Sequence, residues 1–157
     1  MSGPRRDRDA GGRPLNNRPR DGLGRPLPYG SASALEELDP AWLEADPPTL
    51  LGHAQQLLDA GNPFQAHEIL EAGWKRASRA ERPLWRALAQ LAVGLTHRAR
   101  GNSPGAAALF ARAARELNEW DVNSAPHHIN VEELARVAEG LAKGQRLQAI
   151  RLVSRPG

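Results

Sequence analysis

Apolar residues recur at three- and four-residue steps from Leu50 to Leu141, and proline, glycine and asparagine cut that pattern into helix-sized pieces. Asp39-Pro40 and Asp46-Pro47 each read as an N-cap followed by proline at the first helical position. The first opens a short turn carrying Trp42 and Leu43. The second opens a helix to about Asp59, with Leu50, Leu51, Ala54, Leu57 and Leu58 as its stripe. Gly61-Asn62-Pro63 stops that helix and starts another, which runs to about Ser78. Pro83 opens a third helix over 84–100, with Leu84, Leu88, Leu91 and Leu95 on one face, and Gly101 ends it. Ser103-Pro104 caps a fourth with Ala106, Leu109, Phe110, Ala113 and Leu117 inward. Asn130 with Glu133 makes a capping-box pattern for a fifth, with Leu134, Val137, Ala138 and Leu141 inward. No segment shows the alternation of a strand. The pattern predicts an all-α bundle of about five helices.

A weak repeat runs through this pattern at a spacing of 40 residues. Gly61-Asn62 matches Gly101-Asn102, Ala66 matches Ala106, Leu70 matches Phe110 and Gly73 matches Ala113. Small residues at Ala54 and Gly94, and again at Ala66 and Ala106, let paired helices approach closely. Two helix–turn–helix copies of this kind predict tetratricopeptide-like hairpins, too few for a solenoid and so closed into one bundle.

Composition adds boundaries. The net charge of +3 divides unevenly: residues 1–30 hold seven arginines and three aspartates, while the rest holds fourteen basic and fifteen acidic residues. Residues 1–34 are too rich in Arg, Gly and Pro to bury surface and read as a disordered arm, with Leu23, Leu27 and Tyr29 able to lie across the domain. Such an arm offers arginines to nucleic-acid phosphates. The helical domain spans 35–145, and 146–157 is a tail whose Leu147, Ile150, Leu152 and Val153 are apolar enough to dock. Cysteine is absent, which excludes disulfides, thiolate zinc sites and cysteine nucleophiles and suits a cytoplasmic location. No apolar run approaches the roughly 18 residues of a membrane helix, so no membrane contact is expected.

The candidate chemistry lies in the second of these helices. At about 100° per residue, Phe64, His67, Glu71 and Trp74 fall in one arc, which Leu70 continues. A histidine and a carboxylate are thereby set one turn apart into a largely apolar face, where each needs a partner. Glu68 lies at the edge of that arc. On the third helix Arg86, Gln90, Val93 and His97 form a second polar stripe opposite the leucines. If that helix is buried on both sides, Gln90 and His97 answer His67 and Glu71 across the interface. Three chemistries fit. One is a buried hydrogen-bond network; another is a divalent metal held by His67, Glu71 and His97, as in a hydrolase. The third is a metal-free acid–base pair. No organic cofactor is called for. Elsewhere His53 reads as a boundary histidine and His127-His128 as surface residues. Trp74, Trp85 and Trp120 are core or pocket walls, and the loop Gly101–Gly105 is a cap that can also hold an anion.

The elements Phe64-x-Ala66-His67-Glu68-x-x-Glu71-x-x-Trp74 and Gln90 through His97 to Gly101-Asn102-x-x-Gly105-Ala106 resemble the helical domain-of-unknown-function family number 309, over about residues 48–120. The resemblance implies a compact all-helical domain and marks His67, Glu68, Glu71, Trp74, Gln90 and His97 as a shared polar and aromatic set. It implies no particular activity. The expectation is a non-enzymatic binding or scaffold domain with a polar site between the second and third helices, which engages a protein partner. A metal-dependent hydrolase is the alternative.

Overall fold

Two aspartates start the first helices. In a computed structural model of the chain, Asp39 Oδ1 accepts the Ala41 amide at 2.9 Å and Asp46 Oδ1 accepts the Thr49 amide at 2.9 Å. Each is followed by a proline, whose missing N–H costs nothing in a first turn. The structure describes residues 38–146 and 149–154. The arm expected over 1–34, with Leu23, Leu27 and Tyr29, lies outside the described residues, as does Leu147. The helices are α1 (Pro40–Leu43), α2 (Pro47–Asp59), α3 (Pro63–Arg76), α4 (Arg82–Ala99), α5 (Ser103–Asn118) and α6 (Val131–Ala142), with a 3-10 turn at Pro126–His128. The fold is all-α; the β pairing among the described residues is a single bridge between Ile129 and Val153.

Two caps differ from expectation. Asn102, one residue before Ser103, is the N-cap of α5, accepting the Gly105 amide at 3.2 Å. Asn130 holds the N-cap position of α6 without a side-chain bond, and no capping box closes: its amide donates to the Leu152 carbonyl and Glu133 pairs with Arg136.

Each helix from α2 to α6 packs on its neighbour in the chain, α4 against both α3 and α5. Leu50, Leu51, Ile69, Leu70, Leu84, Trp85, Leu88, Leu91, Phe110, Leu117 and Leu134 are fully buried, each large aliphatic contributing about 1.5–3 kcal/mol by leaving water. Two helical glycines set the interhelix distances. A Cβ at Gly73 would lie 2.4 Å from the Trp85 ring, and one at Gly94 would lie 2.6 Å from the Phe110 ring. The α2–α3 and α4–α5 hairpins turn through left-handed Gly61 (φ 77°) and Gly101 (φ 85°), and Ala54, Ala66, Gly94 and Ala106 are all buried.

Residues 149–154 lie against the bundle. Ile150 and Leu152 are buried. Gln55 on α2 donates to the Ile150 carbonyl at 2.7 Å and accepts the Leu152 amide at 2.8 Å, while Leu152 returns its carbonyl to the Asn130 amide at 2.9 Å. At the other end Arg76 donates to the Glu44 carbonyl at 3.0 Å and to that of Ala45, tying the α1–α2 linker to the end of α3. Among the described residues no helix is long and apolar enough to cross a membrane.

Candidate functional site

The helical repeat of α3 brings His67 and Glu71 together: His67 Nε2 lies 3.1 Å from Glu71 Oε2. Glu71 is also approached by Lys75 Nζ at 3.6 Å, again one turn along. The imidazole side chain is 24% exposed and the carboxylate 39%. This is a half-exposed pair at the helix edge rather than a buried network, so water and Lys75 share the stabilisation of Glu71. The Phe64 ring tilts against His67 with centroids 6.0 Å apart, and the Arg100 guanidinium stands 5.9 Å from the centre of the Phe64 ring. His67 Nδ1 is buried and has no hydrogen-bond partner among the described residues. Glu68 is half-buried beside it in sequence.

The three-ligand metal set does not assemble. Among the described residues no group of three or more His, Cys, Asp or Glu side chains could hold a metal ion. His97 Nδ1 lies 3.2 Å from the Asn102 side-chain amide, just past the end of α4. That contact holds the His97 ring at the α4–α5 corner, while His67 is paired with Glu71 on α3. The local bond wins because Asn102 already stands there as the cap of α5. Gln90 follows a different course from His97. The stripe Arg86–Gln90–Val93–His97 is the less buried edge of α4, and its N-terminal half opens into a groove.

That groove, with a volume of about 520 Å³, is lined by Trp74 of α3, Arg82, Pro83, Arg86 and Gln90 of α4, and Arg112 and Glu116 of α5. The packing of α4 between α3 and α5 produces it, since three helices cannot close against one another along every edge. Arg82, Arg86 and Gln90 follow at four-residue steps and share one edge of α4; Arg112 and Glu116 do the same on α5. No ion pair within 4.0 Å engages Arg82, Arg86 or Arg112 among the described residues. The site is thus cationic inside a nearly neutral domain. Of the six residues singled out from the sequence, Trp74 and Gln90 line the groove, Glu71 and His67 form the pair one and two turns before Trp74, Glu68 is half-buried next to His67, and His97 lies in the last turn of α4 beside Asn102. Arg82, Arg112 and Glu116 were missed. Their signal was present as i, i+4 spacing, but without the α4–α5 contact nothing related one helix to the other.

The remaining candidates fall into place as structure. Trp85 is core, buried against Gly73, and Trp120 packs at the core margin. His53 stacks on Trp42 with ring centroids 3.9 Å apart, a boundary histidine as expected. The Gly101–Gly105 loop is filled by the Asn102 side chain, which would meet a Cβ at Gly105 at 2.5 Å. His127 corrects the surface reading: its Nε2 lies 2.8 Å from Glu81 Oε1, which also accepts from Trp85 Nε1 at 3.4 Å. Both histidines have a left-handed φ, 56° at His127 and 59° at His128, but it is the His127 ring that meets Glu81, while His128 stays exposed.

No curated protein and no solved structure matches the chain. A family model does match, over a stretch somewhat shorter than the resemblance suggested, from within α2 to within α5. It takes in His67, Glu68, Glu71, Trp74, Gln90 and His97 and stops before Arg112. Residues 51–109 are thus shown to match the family described as Domain of unknown function (DUF309).

Proposed function

We propose that this domain is a non-enzymatic binding module of the cytoplasm, built from tetratricopeptide-like hairpins, with the α3–α4–α5 groove as its ligand seat. The observation that carries the reading is the groove itself: an open cleft of about 520 Å³ joining Trp74 and Gln90 to three arginines without ion-pair partners among the described residues. That volume is in the range of small-ligand sites, about 300–1,000 Å³. The kinds of group present favour holding over chemistry. Arginine, glutamine and tryptophan bind through directed hydrogen bonds and ring surface, and none of them exchanges protons near neutral pH. The His67–Glu71 pair, stationed along the same helix, shapes the surface beside the groove. No cofactor is needed for this role.

The test is a thermal-shift panel on the full chain, covering small anions, nucleotides and acidic peptides. The wild type is compared with the double variant Arg86→Glu/Arg112→Glu. The proposal expects at least one ligand class to raise the wild-type midpoint and to leave the variant unmoved. Ligands that stabilise both proteins equally would place binding elsewhere.

A further inference from the structure

We infer that the groove recognises a nucleoside phosphate; this rests on the groove being a ligand seat and names the ligand's chemistry. The first argument is electrostatic. Arg82 and Arg86 stand four residues apart on one helix edge, an arrangement in which like charges repel. Arg82 also lies in the first turn of α4, where the helix dipole disfavours a cation. Arg112 joins them from α5, and no ion pair within 4.0 Å among the described residues relieves any of the three. Three guanidinium groups lining one cleft are matched best by an anion with several oxygens, and phosphate takes the bidentate fork that arginine offers.

The second argument separates a nucleotide from a bare anion. Glu116 lines the same groove. An inorganic phosphate or pyrophosphate filling the cleft would set its own negative charge against that carboxylate, with at most a P–OH to donate to it. A nucleoside phosphate brings ribose hydroxyls or a base amine, which donate to Glu116 while the phosphate stays with the arginines. Gln90 supplies both a donor and an acceptor, the set that reads a base edge, and Trp74 and Pro83, which also line the groove, offer apolar ring surface to a base. At about 520 Å³ the groove is within the range of small-ligand sites, about 300–1,000 Å³.

Isothermal titration of the full chain with ATP, AMP, pyrophosphate, adenosine and an acidic peptide tests the inference. ATP and AMP should bind, adenosine should not, and pyrophosphate should bind more weakly than ATP. Arg86→Ala and Arg112→Ala, both at exposed positions that leave the core intact, should each weaken ATP at least about tenfold, the loss expected for a charge-assisted hydrogen bond. Arg136→Ala, outside the groove, should change nothing. Glu116→Gln should narrow the gap between ATP and pyrophosphate by strengthening the latter. If neither nucleotide binds but the peptide does, and groove variants abolish that, the nucleotide inference fails while the binding reading stands. If nothing binds, or if ATP binds all variants alike, both fail. Circular dichroism of each variant confirms the fold.

Discussion

Replacing Gly73 by alanine probes the helix contact on which the groove is built. The new Cβ would lie 2.4 Å from Trp85 Cε3 and Cζ3 and 3.0 Å from Cδ2, against about 3.5–4.0 Å for carbon atoms at rest. Trp85 has nowhere to go: it is 1% exposed, and its indole N–H is 3.4 Å from Glu81 Oε1. Relief must come from α3 and α4 moving apart. Overpacking of this kind costs about 1–3 kcal/mol, offset by up to about 1 kcal/mol for replacing glycine inside a helix. The net expectation is a loss of about 1–2 kcal/mol, or a melting midpoint lowered by about 3–8 °C. Gly52, in the interior of α2, has nothing within 4 Å of its Cβ position, so Gly52→Ala should stabilise by about 0.5–1 kcal/mol. Urea unfolding of the full chain, followed by circular dichroism, measures both. In a Trp85→Phe background the Gly73→Ala loss should shrink by at least about 0.5 kcal/mol, the coupling expected of touching residues. Equal gains from the two glycine substitutions would refute the close α3–α4 contact.

Three further outcomes follow from single contacts. His67→Ala should cost no more than about 0.5–1 kcal/mol in urea unfolding, because its pair with Glu71 is half-exposed and Lys75 remains; a larger loss would mean that the pair is buried after all. Gln55→Ala removes two partly buried hydrogen bonds to residues 150 and 152 and should cost about 1–3 kcal/mol. It should also speed amide exchange at Leu152, whereas unchanged exchange there would show that the tail docks by other means. The Asp46 carboxyl is held below its ordinary value by hydrogen bonds from the Thr49 hydroxyl and amide, which outweigh the opposing effect of desolvation, with Arg76 adding a lesser pull downward. A depressed folded pKa gives stability that is present above the unfolded value and is lost as pH falls through the folded one. Asp46→Asn keeps a capping oxygen but cannot titrate, so urea midpoints from about pH 6 down to about pH 3 should fall less steeply than in the wild type; parallel curves would contradict the assignment.

Local periodicity carried most of the fold. The leucines of α4, the Asp-Pro starts and the two Gly-Asn turns are each readable within a few residues, because helix faces and caps are local facts. The site was legible only where it stayed on one helix. His67 and Glu71 met because four residues make one turn, and the same rule placed Trp74 beyond them. Contacts between helices depend on rotation and depth, which spacing does not carry. Thus the stripe Arg86–Gln90–Val93–His97 was found, but its two ends part: Gln90 opens on the groove while His97 is captured by Asn102. Arg112 and Glu116 join Arg86 only through the packing of α5 on α4. His127 eluded the reading for another reason, since its partner Glu81 lies 46 residues away in sequence, in a contact that no periodicity announces.

The central claim is that a ligand sits between Trp74 and the arginines of α4 and α5. The most direct measurement is a nitrogen-15 correlation spectrum of the labelled full chain titrated with ATP, with the Trp74 indole assigned through Trp74→Phe. The account predicts saturable shifts of the Trp74 indole and the Gln90 side-chain amide, while the buried Trp85 and the Trp42 stacked on His53 stay still. Shifts confined to other indoles, or a Trp74 signal that ignores a ligand the protein demonstrably binds, would contradict it.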